Sequence, residues 1–313
     1  MATAVICEFN PFHNGHKYLL ESAKNVLKEP VIAIMSGSFT QRGEVAVCDK
    51  FVRAKSALEN GADLVLELPV VFSLSGAEGF AKAGVAIASA FECTNHLAFG
   101  SESGDCKLLK KSANAVCDER VQDLVRDGMK NGGYYPRELE NAVKTVFGDE
   151  ISSVLCEPNN ILGVEYIKAL NGTGVEPFSV ARTGVAHDSR IAGEGFASAS
   201  HIREMLRNGE KAKKYAPYIP DESTFPDNLD RPLLYRLRTM TREDLAKLPD
   251  VGEGLENRIA YAAVRCSTSS EIADLVKTKR YTHARIRRIL ACGLLGSARG
   301  HARVPWQYVR GLG

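Results

Sequence analysis

Two histidines three positions apart stand in a short segment near the N-terminus, in the string EFNPFHNGH that begins at Glu8. They are His13 and His16, and they flank Asn14 and Gly15. Imidazole donates hydrogen bonds to phosphate oxygens, and a glycine lets the backbone approach an anion without a Cβ atom in the way. Transfer at an α-phosphate gathers negative charge in its transition state, which donors aimed at that phosphorus stabilise. The pattern predicts an ATP-binding loop with His13 and His16 as catalytic residues.

Other interpretations of this loop are a solvent-exposed turn or a metal site. An Asn-Gly turn needs neither imidazole, and zinc binding by the pair needs further ligands that the surrounding sequence does not supply. The eight cysteines contain no C-x-x-C pair, so we expect them to be reduced and mostly buried. No metal site is expected.

A second polar loop, SGSFTQRGE, covers residues 36–44. Guanidinium offers two parallel donors, so Arg42 could clamp phosphates or a carboxylate substrate, and we expect Ser36 and Gln41 to act with it. The alternative is a flexible connection with Arg42 in solvent. On the helix that follows, we expect Arg53, together with the lysines at positions 50 and 55, to form a solvated face.

The elements that would position these loops alternate between strand and helix. Short apolar runs predict strands at 3–7, 31–35, 64–68, 96–99 and 175–180, and helical patterns fall at 15–27, 50–60, 77–90, 107–126 and 159–170. Such alternation predicts an α/β fold with a Rossmann-like, doubly wound parallel sheet. Both loops would then open at the carboxyl edge of the sheet, where ligands bind.

Three further segments are predicted to reach the same edge. Gly100 follows a strand, Asn159 and Asn160 open a helix, and Ser200 and Arg203 lie at the start of another. Each alone is equally compatible with a simple helix cap or turn. Their joint placement favours a ligand site.

Four prolines between positions 217 and 232 interrupt the pattern, and we expect a linker over 217–232. The linker would separate a catalytic domain, 1–216, from a smaller and mainly helical domain, 233–313. Helices in the second domain are predicted at 233–239, 241–247, 255–263, 269–275 and 283–294.

Charge is segregated towards the C-terminus. Residues 275–313 hold nine Lys or Arg and no acid, whereas the remainder holds 31 basic and 38 acidic residues. This distribution indicates a polyanionic partner, with a solvated helix face as the alternative. The expected contacts to nucleic acid, with the tyrosine stacking on a base, are Lys277, Lys279, Arg280, Tyr281, Arg285, Arg287 and Arg288.

The composition, 44% hydrophobic and 25% charged, is typical of a globular protein. No apolar run reaches the roughly 18 to 20 residues of a membrane helix. Residues 1–9 are too short for the apolar region and cleavage site of a signal peptide, so we do not expect one. We therefore expect a cytoplasmic enzyme without a membrane partner.

Four segments, in their order along the chain, resemble the bacterial tRNA(Met) cytidine acetate ligase family. They are HNGH at 13–16, QRGE at 41–44, PNNILG at 158–163 and SASHIR at 198–203. The H-x-G-H tetrad alone is shared with a wider nucleotidyltransferase superfamily. The string that begins at Glu8 and the PNNILG segment are far more specific.

The resemblance implies a nucleotidyltransferase-type sheet with ATP, as its magnesium complex, and acetate as substrates, and no tightly bound cofactor. Acetate would be activated to acetyl-adenylate with release of pyrophosphate, and the acetyl group would pass to N4 of the wobble cytidine of elongator tRNA(Met), releasing AMP. Arg203 would join the histidines in catalysis, and loop 36–44 would serve acetate and phosphate. The implied ATP contacts are Ile6, Glu8, Asn10, Pro11, Phe12, His13, Asn14, Gly15, His16, Leu19, Gly100, Asn159, Asn160, Arg182, Ser200 and Arg203.

Two rival hypotheses stay open at this point. A nucleotidyltransferase could pass a nucleotidyl group to a phosphorylated metabolite without RNA. An RNA-binding protein could retain the loop without activity, although both His13 and His16 are present.

Overall fold

The computed structural model describes residues 1–182, 195–278, 281–300 and 309–313. In this part of the chain one sheet runs in the order β5-β4-β1-β2-β3-β6. The first five strands are parallel, and β6 pairs antiparallel with β3. The strands are β1 Ala2–Cys7, β2 Val31–Ser36, β3 Leu64–Leu68, β4 Thr94–Ser101, β5 Glu176–Ala181 and β6 Arg310–Gly311.

Helices connect the strands and continue beyond them. Those of the sheet region are α1 Asn14–Leu27, α2 Lys50–Glu59, α3 Val70–Ser73, α4 Ala77–Ser89, α5 Cys106–Cys117, α6 Glu119–Lys130, α7 Tyr135–Phe147, α8 Asp149–Ser153, α9 Pro158–Leu170 and α10 Ala199–Arg207. Those that follow are α11 Asp230–Thr239, α12 Arg242–Ala246, α13 Leu255–Ala263, α14 Ser269–Val276 and α15 His283–Leu295.

Side chains of β1 alternate between the two faces of the sheet, and both faces are buried. Ala4 and Ile6 lie in the core formed with α4, α5 and α9. Val5 lies in the opposite core with residues of α1 and α2. Helices therefore cover both faces, which confirms the predicted doubly wound α/β fold.

Strand order reverses at β1, which has β2 on one side and β4 on the other. Connections from β1 and β4 leave in opposite directions and open a crevice at the carboxyl ends of these strands. The His13 loop follows β1 directly, so the topology places it at this crevice.

A separate hydrophobic core joins α11 to α15. Phe39 and Leu74, from the sheet region, are buried in it and link the two parts. The fold corrects two boundaries, because α11 begins at Asp230, inside the expected linker, and β6 returns residues 310–311 of the expected helical domain to the sheet.

Other predictions need smaller corrections. The single helix predicted at 107–126 is two helices, since the Asp118 side chain accepts from Arg120 N and caps α6. The expectation of mostly buried cysteines is wrong, because only Cys48, Cys266 and Cys292 are buried among the described residues. Within the same described ranges, no helix has the length and apolar character needed to cross a membrane.

Candidate active site

A cavity of about 310 Å³ opens at the crevice between β1 and β4. It receives side chains from β1, α1, the loop after β2, α9, the end of β5 and α10. Most of the predicted site residues line it: Ile6, Glu8, Asn10, His13, Gly15, His16, Leu19, Gln41, Arg42, Gly100, Asn159, Arg182, Ser200 and Arg203.

The chain turns sharply between β1 and α1. Phe9 has a left-handed φ of 48°, and the Asn10–Pro11 peptide bond is cis. The rings of Phe9 and Phe12 pack edge to face, 4.9 Å between centroids, and both are buried. These aromatic anchors hold the loop under the cavity and leave His13 at the N-cap of α1.

The two imidazoles are fixed by backbone donors. Gly15 N–H donates to Nδ1 of His13 at 3.1 Å, and His13 N–H donates to Nδ1 of His16 at 3.3 Å. The rings stack with centroids 3.7 Å apart. A Cβ atom on Gly15 would lie 2.9 Å from Cε1 of His13, so the glycine leaves room for the imidazole.

These contacts define the protonation of the pair. An Nδ1 that accepts a hydrogen bond carries no proton, so each neutral ring carries its hydrogen on Nε2. Burial, with Arg182 and Arg203 nearby, lowers the pKa of His13 to about 3. Burial and the neighbouring His13 hold the pKa of His16 well below its usual value. At neutral pH both residues are therefore uncharged Nε2–H donors.

Arg203 is held at the cavity by α10. Its Nη1 donates to the carbonyl of Asn10 at 2.8 Å and its Nη2 to the hydroxyl of Ser200 at 3.1 Å. Ser198 caps the helix by accepting from His201 N–H at 3.1 Å. The cap fixes the start of α10, and the guanidinium thereby joins the histidine loop.

The opposite side of the cavity is built on β4, α9 and the end of β5. The Glu102 carboxylate accepts from the side-chain Nδ2 of Asn159 at 2.6 Å and from the backbone N–H of Asn160 at 2.8 Å, which ties the start of α9 to the end of β4. The Arg182 side chain passes over Gly100, where a Cβ atom would lie 3.5 Å from its Cγ. A cationic side chain thus borders a bare strand end.

Five of the residues predicted to contact ATP, acetate or phosphate do not line the cavity. Phe12 is in the core, and Pro11 is buried beside it in the loop. Asn14 directs its amide away, to the carbonyls of Gly195 and Lys214. The Asn160 side chain accepts from Ser103 N–H at 3.1 Å, and Ser36 is fully buried beneath the loop that it begins.

The expectation that Arg53 lies on a solvated face is wrong. Only 1% of this residue is exposed, and its guanidinium donates to the carbonyls of Cys48, Glu8, Ser36 and Gly37. Arg53 therefore fixes the carboxyl ends of β1 and β2 to each other. It is a supporting residue that the sequence did not reveal, although its neighbours on the buried face of α2 are small.

Several residues that line the cavity were not predicted. Phe80, Phe99 and Tyr166 form an apolar wall. The ring centroids of Phe99 and Tyr166 are 5.5 Å apart. Gly163 permits this packing, because a Cβ atom there would lie 2.8 Å from the Phe99 ring. Glu44 lines the cavity from the second loop. A strand or helix pattern marks such residues as core without indicating that they face a ligand.

The predicted nucleic-acid contacts lie at the start of α15, and several already have protein partners. Arg287 forms an ion pair with Glu44, and Nη1 of Arg288 donates to the Gln41 carbonyl at 3.3 Å. Nη2 of Arg285 donates to the Asp250 carbonyl at 2.8 Å.

The stacking role expected of Tyr281 does not fit the structure. Its ring is buried beneath Arg285, and its hydroxyl donates to the Gly252 carbonyl. Lys277 is exposed, and Lys279 and Arg280 lie outside the described residues.

Comparison with known proteins gives one consistent family. Residues 1–313 match the family model described as HIGH Nucleotidyl Transferase. A protein of Clostridium tetani named tRNA(Met) cytidine acetate ligase is 35% identical over 338 aligned residues, which cover 99% of this chain and 84% of that protein.

Solved structures of Thermotoga maritima TmcAL resemble the whole fold at 32% sequence identity. The apo form I superposes with a TM-score of 0.88, and the form II bound with alpha-thio ATP with a TM-score of 0.86. Each comparison covers 96% of this chain and 76% of that chain.

Proposed function

The chain belongs to the HIGH nucleotidyl transferase family and, within it, to the tRNA(Met) cytidine acetate ligases; on this premise we propose that it uses ATP to acetylate a tRNA cytidine. Acetate is activated to acetyl-adenylate with release of pyrophosphate. The acetyl group then passes to N4 of the wobble cytidine of elongator tRNA(Met), and AMP leaves. The observation that carries the proposal is the pair of neutral, stacked imidazoles at the crevice of the sheet.

Binding of ATP is supported by the Thermotoga maritima structure bound with alpha-thio ATP, and we place the nucleotide at this crevice. We assign the triphosphate to the start of α1, where the helix dipole favours anions. The N–H groups of Asn14, Gly15 and His16 already donate within the protein, so side chains must supply the donors to phosphate. The adenosine lies towards Gly100, Asn159 and Arg182, the residues that border the cavity at β4, α9 and the end of β5.

The first step is attack of an acetate oxygen on the α-phosphorus. Negative charge grows on the phosphoryl oxygens as the bond to pyrophosphate breaks, and preorganised donors stabilise that charge without reorganisation. The Nε2–H groups of His13 and His16 supply neutral donors, and Arg203 supplies a charged one. Arg42, on the second loop, is the candidate to orient the acetate carboxylate.

The magnesium ion of this proposal enters with the triphosphate. Among the described residues, no group of three His, Cys, Asp or Glu side chains is arranged to hold a metal ion. When bound, the ion neutralises part of the charge on the β- and γ-phosphates. The chain's own residues act on the α-phosphate.

The tRNA is proposed to bind along the basic start of α15. In this proposal residues 1–216 form the catalytic domain, a linker lies within 217–232, and the helical part that follows is the RNA-binding domain. Backbone atoms of Arg287 and Arg288 lie within 2.5 Å of the position that a Cβ atom on Gly43 would take, so loop 36–44 packs directly against α15. A phosphate that competed for Arg287 would release Glu44 of loop 36–44 from its ion pair with this arginine. Base flipping would bring the cytidine to the cavity.

The experiment that tests this function is mass spectrometry of tRNA nucleosides after incubation with ATP and isotope-labelled acetate. We expect labelled N4-acetylcytidine in elongator tRNA(Met), and its formation should require both ATP and acetate. A nucleotidyltransferase that acts without RNA would instead consume ATP at full rate when tRNA is omitted and yield no labelled nucleoside.

A further inference from the structure

The acetyl-transfer step of the proposed function releases a proton, which a basic group in the cavity can accept. The cytidine N4 amine forms a C–N bond to the acetyl carbonyl, and the C–O bond to the phosphate of AMP breaks. The amine must lose one proton as the amide forms. A base within hydrogen-bond reach of the amine accelerates such a step.

Glu8 lies at the end of β1, one residue after the last residue of the strand, and it lines the cavity together with His13 and His16. Its Oε1 accepts a hydrogen bond from Gln41 N–H at 2.5 Å. Among the described residues, Gln41 is the one hydrogen-bond donor to this carboxylate. The contact fixes the carboxylate between the histidine loop and loop 36–44.

Among the residues that the structure describes, the other candidate bases of the cavity are occupied or unsuitable. The Nδ1 atoms of His13 and His16 accept from backbone N–H groups, and their Nε2 atoms carry protons. Glu44, the second carboxylate among the described lining residues, is paired with Arg287. Burial raises the pKa of the Cys7 thiol well above its usual value, so this thiol stays protonated.

Charged groups face Glu8 from several elements. Burial has the largest effect on this carboxyl group and raises the pKa of Glu8 above its usual value. The hydrogen bond from Gln41 N–H opposes burial, as do the charges of Arg42 on the second loop, Arg203 on α10 and Arg53 on α2, which favour the ionised carboxylate. Tyr166 on α9 also lies close enough to feel the charge of this carboxylate. A carboxylate in such surroundings is a stronger proton acceptor than one in water.

We propose that Glu8 is the general base of acetyl transfer, which accepts the N4 proton of cytidine through its carboxylate while AMP departs. This assignment rests on the proposed function. It gives Glu8 a role towards cytidine, which accepts the acetyl group, whereas His13 and His16 contact the phosphates.

The test separates the two half-reactions in Glu8→Gln. Activation is followed by acetate-dependent ATP–pyrophosphate exchange. Transfer is followed in a single turnover of synthetic, radiolabelled acetyl-adenylate with elongator tRNA(Met) transcript. The amide can still accept from Gln41 N–H, so the loop stays in place, but it cannot take a proton. Transfer should fall by about 100-fold or more, and exchange should fall far less.

The pH profile and two companion variants sharpen the test. The wild-type transfer rate should rise with pH through a single ionisation and then level off, and Glu8→Gln should lose this dependence. Glu8→Asp should recover part of the rate together with the pH dependence. Glu44→Gln, which changes a carboxylate of the same cavity, should keep the ionisation.

A transfer rate in Glu8→Gln equal to that of the wild type would overturn the assignment. Equal losses of exchange and transfer would overturn it too, because they would mark Glu8 as a support of the loop. Absence of acetylated tRNA with the wild type would remove the proposed function itself, and the role of Glu8 with it.

Discussion

Gly15 offers a direct perturbation of the phosphate site, because its missing side chain makes room for a catalytic ring. In Gly15→Ala the new Cβ atom would lie 2.9 Å from Cε1 and 3.1 Å from Nδ1 of His13. Both atoms belong to a side chain, so the imidazole can rotate away while the backbone stays. The donor then leaves its place and its hydrogen bond from Gly15 N–H is lost.

The expected effect on stability is small. Alanine in a helix is favoured over glycine by up to about 1 kcal/mol. Loss of the side-chain cap costs roughly 0.5–2 kcal/mol, so the two effects largely cancel. The expected effect on activity is large, since displacement of a preorganised group by about 1 Å can cost on the order of 100-fold in rate.

The measurement is acetate-dependent ATP–pyrophosphate exchange, with urea unfolding of the same preparation. We expect exchange to fall by roughly 10- to 100-fold in Gly15→Ala, with a nearly unchanged unfolding midpoint. Gly252→Ala is the matched control, because a Cβ atom there meets nothing within 4 Å among the described residues. Full exchange activity in Gly15→Ala would refute the reasoning that His13 must stand where it does.

Two further predictions concern buried groups. Arg53→Met removes the guanidinium that joins β1 to β2 through buried carbonyls, and should lower the free energy of unfolding in urea by about 3 kcal/mol or more. Lys55→Met, on the exposed part of the same helix, should change this free energy little. Similar unfolding midpoints for the two variants would contradict the prediction. The pKa of His13 is about 3 in the folded chain and lies below its value in the unfolded chain. At a pH between these two pKa values, His13 therefore takes up a proton when the chain unfolds. From pH 7 to 5 the unfolding free energy should therefore fall by about 2 kcal/mol through this residue, and ligand-free His13→Asn should lack that part; identical slopes in the two proteins would count against a buried neutral imidazole.

The sequence indicated the sheet well, because the five parallel strands contain short apolar runs that alternate with helical patterns. It also identified the histidine loop, since the order strand, loop and helix determines which edge of the sheet the loop occupies. The two-residue β6 was missed, because so short a strand has no periodicity of its own.

Residues whose contacts are distant in sequence were predicted less well. Asn14 bonds to the carbonyls of Gly195 and Lys214, about 200 positions away, and no local pattern reveals that its amide turns from the cavity. Arginine is a residue type that usually lies at the surface, but the side chain of Arg53 is buried in the core. Tyr281 stands in a basic run that suggested a stacking surface, but the packing of α13 to α15 buries it.

The proposed activation of acetate depends on a neutral imidazole pair that donates to the α-phosphate. Acetate-dependent ATP–pyrophosphate exchange in His16→Ala, with tRNA affinity measured on the same protein, tests this most directly. We expect exchange to fall by about 100- to 1,000-fold while tRNA affinity is nearly unchanged. Exchange at the wild-type rate in this variant would contradict it.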